Sequence, residues 1–484
     1  MKMTLNMLLV ICACATVGQA QISNFKHVVV IVQENRTPDN LFQGLCAAPF
    51  GTAANCNSTN PTASQYNIQT SNWADKTSAT GFTQPKGVML ANAYDLSHAH
   101  SAFTAMCDST GGPGFAACQM DGAAGIHCGG TCPSQPQFRF VTNTNGILNP
   151  YLDLATQYGW ANFMFQTNQG PSFPAHQFLF GGTSAPTPEA DPNHIFAAEN
   201  MSSTLKPPPP RLVAGCTADD TTRVKLIMPP DDESQSIYPC FEHQTMADLL
   251  TNTPTPVPLT WRYYTPGPGS IWTAPNAIQH ICQSTGPGGT CEGKDWTDNV
   301  DLNPADVLKD IGACKLRSVS WVIPTGQNSD HAKSNDGGGP SWVASIVNAI
   351  GNATTCDTSG YWNDTAIFIT WDDWGGWYDH EAPQILDDYQ YGFRVPLLVV
   401  SAYTAKGLIN NNRHDFGSIL KFIEHNFGLP PGGLNFADAR SKTNLTGFFD
   451  LTQPARPFTN ISAAKSAKFF LKDKRKPKDP DDDQ

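Results

Sequence analysis

Two short apolar runs constrain the fold of this chain more than any other feature. Residues 27–32 are followed by Gln33, Glu34, Asn35 and Arg36, and residues 365–370 by Trp371, Asp372 and Asp373, with Gly375 and Gly376 just beyond. Runs rich in β-branched residues without polar alternation belong to strands buried on both faces, as in parallel sheets. Open parallel sheets bind ligands beyond the carboxyl ends of their strands. Two such strands, each ending in a pair of oxygen-bearing side chains, can hold one hard cation between them. Further buried strands are predicted at 318–323 and 395–400, with Pro396 at a strand start, where a missing donor is tolerated. Helices are predicted at 341–350 and, capped by Asp415, at 416–427. The alternation of strands and helices predicts an α/β sandwich with a central, mostly parallel sheet flanked by helices.

Residues 1–20 have the organisation of an export signal: Lys2, an apolar core at 8–15, and small residues at Gly18 and Ala20. The expectation is a cleaved signal peptide and a secreted or periplasmic protein. No later stretch approaches the roughly 20 apolar residues of a membrane helix, so no stable membrane span is expected. Of fourteen cysteines, Cys12 and Cys14 lie in the signal, and the rest fall into near-neighbour pairs. That pattern predicts six local disulfides in an oxidising compartment, with zinc binding the weaker reading because paired Cys-x-x-Cys motifs are lacking. The net charge is −12, without the basic stripe of a nucleic-acid binder. The same acidic balance gives no long-range attraction to anionic membranes. Residues 21–460 are expected to form one domain with insertions near 46–86, 107–135 and 184–245. Four consecutive prolines at 207–210 mark an extended boundary segment. Residues 461–484 are expected to be a charged, disordered tail. The oligomeric state stays open.

Ser172 lies in the stretch Gly170, Pro171, Ser172, Phe173, Pro174, Ala175, His176. Gly-Pro marks a turn, and Pro174 suits the first turn of a helix. A hydroxyl there meets free backbone amides and the positive end of the helix dipole, and a divalent cation would lower its pKa further. The plain alternative is a helix-capping serine.

In their order along the chain, these pieces carry a resemblance. Glu34-Asn35-Arg36, Ser172-x-Pro-x-His176, and 372–380 with its Asp-Asp-x-Gly-Gly core, joined by 392–396 and 414–424, resemble the phosphoesterase family of bacterial phospholipases C and acid phosphatases. Plant non-specific phospholipases C are similar too, and the resemblance spans 25–428. It implies an alkaline-phosphatase-like fold with one metal site, whose ligands would be Glu34, Asn35, Asp372, Asp373 and the nucleophile Ser172. Five oxygens suit a hard divalent cation such as Ca, Mg or Mn better than zinc. The resemblance also implies histidines that stabilise the phosphoryl group and protonate the leaving alcohol, matched by His98, His331 and His280. Arg36, His176, Trp374 and His380 are candidates for binding substrate, although Arg36 also suits a structural ion pair, and Asp379 with His380 also suits bracing the Gly-Gly loop. Two departures are Trp374, where many relatives carry His or Ser, and Ala175, where many carry an aromatic or charged residue. The implied activity is an exported, metal-dependent phosphoesterase working through a phosphoserine on a phospholipid or small phosphate ester. The alternatives are a sulfatase-like hydrolase, disfavoured by His176 in place of arginine, and an inactive secreted binding protein.

Overall fold

The computed structural model describes residues 24–109, 117–206, 212–229, 232–383, 391–434 and 436–478. The expected signal peptide and the proline run at 207–210 lie outside the described residues. Eight strands form the central sheet: β1 (His27–Gln33), β2 (Gly159–Phe165), β3 (Trp261–Tyr264), β4 (Val300–Asp301), β5 (Val319–Val322), β6 (Thr365–Trp371), β7 (Leu397–Val400) and β8 (Leu408–Asp415). Their order is β4-β3-β5-β1-β6-β7-β2-β8. All neighbours are parallel except β7, which runs antiparallel to both β6 and β2. The expected α/β architecture with a mostly parallel sheet is therefore present, and β1 and β6 occupy its middle. Every residue of both strands is buried, as unalternating apolar runs require. Each fully buried Val or Ile there contributes about 1.5–3 kcal/mol.

Helices α1 (Asn149–Gln157), α2 (Ser172–Gly181), α3 (Gly339–Asn352) and α4 (Phe416–Phe427) pack in two pairs, α1 with α3 and α2 with α4. The cap predicted for α4 is present: Asp415 accepts from the Ser418 amide, and Gly428 closes the far end in the left-handed region. Among the described residues, no helix is long and apolar enough to cross a membrane.

Six disulfides join near neighbours, as expected: Cys46–Cys56, Cys107–Cys118, Cys128–Cys132, Cys216–Cys240, Cys282–Cys291 and Cys314–Cys356. A second, smaller apolar cluster lies beside the main core. It joins Trp73, Leu96, Phe103 and Phe138 to Trp374, Trp377, Tyr378 and Phe393. The excursion after β1 thus packs on the loop that follows β6.

Of the tail expected at 461–484, residues 479–484 lie outside the described residues. Residues 461–478 pack along the domain: Phe470 is buried against the Trp342 ring, and Lys465 and Arg475 both pair with Asp336. The Lys478 amide donates to Gln327 Oε1 at 3.1 Å. The charged composition concealed a short helix, Ala467–Lys472, that turns one aromatic ring inward.

Candidate active site

β1 and β6 run side by side in register, Gln33 opposite Trp371, so the residues that follow emerge together. The Asp372 amide continues the ladder, donating to Gln33 O at 2.9 Å. The backbone then turns sharply. Asn35 adopts φ 62°, and Gly375 and Gly376 adopt φ 62° and 74°. A Cβ on Gly375 would stand 2.5 Å from both Cβ and O of Asn35, and one on Gly376 would stand 2.7 Å from Ser97 O. The double glycine lets the post-β6 loop close onto the Asn35 backbone and onto the segment that carries His98.

Each carboxylate of the aspartate pair is anchored by one oxygen and offers the other. Asp372 Oδ1 accepts from the amides of Asn35 (3.0 Å) and Asp373 (2.7 Å), while Asp373 Oδ1 accepts from the Gly375 amide (2.7 Å). Ser172 is the first residue of α2 and does not cap it. Its hydroxyl donates to Asp373 Oδ2 at 3.1 Å, and Asn200 Oδ1 instead receives the Phe173 amide. Asn35 Nδ2 stands 3.2 Å from His98 Nε2, and His98 Nδ1 donates to Leu96 O at 2.9 Å. His98 thereby holds the Asn35 amide with its oxygen turned away. His176, one helical turn after Ser172, places Nε2 3.3 Å from Glu34 Oε1 and 3.7 Å from Asp372 Oδ2.

All these side chains are buried, yet both Glu34 oxygens, Asn35 Oδ1, Asp372 Oδ2 and His176 Nε2 make no hydrogen bond. Orphaned polar atoms at such density are costly unless something binds them. Burial and the adjacent Asp372 charge push the Glu34 carboxyl well above its usual range, and the same causes raise Asp373. Burial also works against Asp372, but its contacts with Glu34, His176 and Ser172 outweigh it and hold that group below the usual range. Burial lowers the His176 ring to about 4, so it stays neutral. Three carboxylates this close are compatible only with protonation or a cation. Glu34, His176 and Asp372 present ligand atoms within 4.8 Å of one another. The donor set fits a bound divalent cation.

The remaining sequence candidates divide. His331 follows β5 and reaches the site's edge, its ring 6.1 Å from that of His98, with Nδ1 donating to Ala332 O at 2.7 Å. Trp374 is buried beside Phe393, at 4.5 Å between ring centroids, and belongs to the smaller apolar cluster. Three assignments are corrected. His280 is held elsewhere by Glu242 (2.6 Å) and Asp248 (3.0 Å), and the bond to Asp248 raises it to about 9. Arg36 does not reach for phosphate. Its Nε and Nη2 donate to Asp330 O and its Nη1 to Asn40, with the guanidinium over the Trp377 ring. His380 lies in a separate buried network, its Nδ1 2.6 Å from Asp39 Oδ2 and its Nε2 2.9 Å from Asn67 Oδ1. There Arg394 grips Asp379 with two hydrogen bonds, the bracing arrangement that the sequence left open. What the sequence reading missed is that His176 faces the acidic cluster directly, although its spacing of four from Ser172 was the available signal.

Residues 25–430 match the Phosphoesterase family. The chain belongs to that family. Over 178 residues it is 27% identical to "Phospholipase C B" of Mycobacterium tuberculosis, covering 32% of this chain and 33% of that protein. It is 24% identical to "Non-hemolytic phospholipase C" of Pseudomonas aeruginosa, covering 34% and 28%. It is 26% identical to "Non-specific phospholipase C6" of Arabidopsis thaliana, covering 30% and 33%. The matched part thus spans about one third of the length of these relatives. A solved structure of a protein in the alkaline phosphatase superfamily from Vibrio parahaemolyticus is similar at a TM-score of 0.32 and 12% identity, covering 58% of this chain and 61% of that one.

Proposed function

We propose that this phosphoesterase is an exported, metal-dependent hydrolase of phosphate esters, of the phospholipase C or acid phosphatase type, with Ser172 as nucleophile. The observation that carries the proposal is the Ser172 hydroxyl at a helix start, 3.1 Å from Asp373 Oδ2, beside the orphaned oxygens of Glu34, Asn35 and Asp372. Those five residues would hold the cation, which supplies neutralisation of the carboxylates and a lowered serine pKa.

Ser172 Oγ attacks phosphorus, and its proton lies on the hydrogen bond to Asp373 Oδ2, the acceptor placed to receive it. The positive end of the α2 dipole favours the phosphoryl charge. As the new O–P bond forms, the bond to the leaving alcohol breaks, and a histidine supplies the alcohol's proton. Because His98 is occupied in orienting Asn35, we assign that proton to His331. Water then attacks the phosphoserine and gives a proton back to His331. Ser172 recovers its own proton, and phosphate or a phosphorylated head group leaves. The family's phospholipases C favour a phospholipid substrate over a small phosphomonoester, and the disulfides support export.

The test is a panel of phosphatidylcholine, an aryl phosphomonoester, a phosphodiester and an aryl sulfate, each with and without chelator. Ser172→Ala is expected to abolish hydrolysis while leaving the thermal transition unchanged. Undiminished turnover in that variant, or sulfate turnover above phosphate, would overturn the assignment.

A further inference from the structure

We infer that His176 Nε2 is a sixth ligand of the ion site, a nitrogen among oxygens, and that the site therefore selects a first-row transition-metal dication over calcium or magnesium. The inference deepens the proposed function and rests on it. Proton placement around Tyr263 fixes the tautomer of the His176 ring. Tyr263 is fully buried and has a single hydroxyl hydrogen. Its oxygen lies 2.8 Å from Trp272 O, which can only accept, so the hydrogen is committed there. The same oxygen lies 3.3 Å from His176 Nδ1 and can meet that nitrogen only by accepting from it. His176 is thereby held as the Nδ1–H tautomer, and the lone pair on Nε2 points the other way, toward Glu34 and Asp372.

A second observation agrees. Nε2 and Glu34 Oε1 are 3.3 Å apart, yet neither makes a hydrogen bond. Two acceptors at that distance repel unless a proton or a shared cation lies between them, and no hydrogen bond joins these two. The arrangement of ligating imidazole, Tyr263 and the Trp272 carbonyl is the outer-shell pattern that fixes tautomer and ring orientation at metal centres. Calcium and magnesium are bound through oxygen, whereas imidazole suits the later first-row metals. Placing Ser172 and His176 one turn apart on α2 lets a single helix supply both the nucleophile and the nitrogen.

The experiment uses the full-length protein loaded with Mn²⁺. Pulsed EPR is expected to show nitrogen coupling from one directly bound imidazole. His176→Gln should still bind Mn²⁺ through its oxygens, without that coupling, and should lose at least tenfold of the preference for Zn²⁺ over Ca²⁺ in calorimetric titration. Tyr263→Phe, which removes the group that positions the ring, should keep the coupling but weaken Mn²⁺ binding by roughly 10-fold. An oxygen-only spectrum from the wild-type protein, which requires no variant to fold, would overturn the inference and leave the proposed function intact. Coupling that persists in His176→Gln would also overturn it. Failure of the wild-type protein to bind any of these ions would overturn both.

Discussion

Gly375→Ala tests how the acidic loop is held against Asn35. Two costs add. An alanine at φ 62° meets the left-handed penalty of about 1–2 kcal/mol. Its methyl would also stand 2.5 Å from Cβ and O of Asn35, where ordinary contact begins at 3.4 Å. Neither atom can swing aside as a flexible side-chain end would, because both are fixed by a backbone that is itself at φ 62°. Relief means separating the two loops by about 1 Å, with overpacking strain of about 1–3 kcal/mol. The expected loss of stability is therefore about 2–5 kcal/mol. A 1 Å displacement of reacting groups costs about 100-fold in rate, so kcat/KM on an aryl phosphate ester should fall by about that factor. Gly428→Ala is the control. Gly428 has φ 64°, and a methyl placed there would meet nothing within 4 Å, so the variant should show only the backbone penalty and unchanged turnover. Urea unfolding and steady-state kinetics on both variants give the readout. Wild-type kcat/KM in Gly375→Ala, with stability no worse than in Gly428→Ala, would refute the reasoning.

Arg394→Met removes the buried cation shared by Asp379 and Asp39 and should cost about 3–5 kcal/mol in urea unfolding. Asp379 is already pushed up to about 6 by burial, with Arg394 pulling it down, so losing the arginine raises it further. A carboxyl raised above its unfolded value loses stability as pH rises through its folded pKa, so the deficit should be smaller at pH 5 than at pH 8. His280→Gln should leave hydrolysis unchanged. Because His280 is raised to about 9, its contribution is complete below its unfolded pKa and disappears as pH rises through 9. The variant should therefore be less stable than wild type at pH 6 and equal to it at pH 10. Replacing Cys314 and Cys356 by serine opens a crosslink spanning 42 residues, which the chain-entropy relation values at about 4 kcal/mol, measurable as a lowered urea midpoint.

Much of the fold was legible because its signals are local. The runs before Glu34 and Asp372 carry the mark of strands buried on both faces, Asp415 marks the start of α4, and the cysteines pair with their neighbours. Glu34, Asn35, Asp372 and Asp373 were legible as ligand candidates for a related reason: they directly follow strands, and parallel strands deliver their ends to one edge of a sheet. The parts played by His280, His380 and Arg36 were not, because they depend on which acceptors lie within about 3 Å, and those acceptors come from remote segments. His280 looked equivalent to His98 and His331 until Glu242 and Asp248 took both its nitrogens. Phe470 was hidden in a charged tail until Trp342 supplied a surface for it.

By itself, then, the chain determined its sheet, its helix starts and the strand ends where oxygen-bearing side chains gather, since periodicity and capping act over a few residues. Only the tertiary structure decided which nitrogen faces those oxygens and which arginines are committed to bracing. Burial and hydrogen-bond commitment are properties of the assembled neighbourhood, and here Tyr263, 87 residues from His176 in the chain, sets the direction of the lone pair.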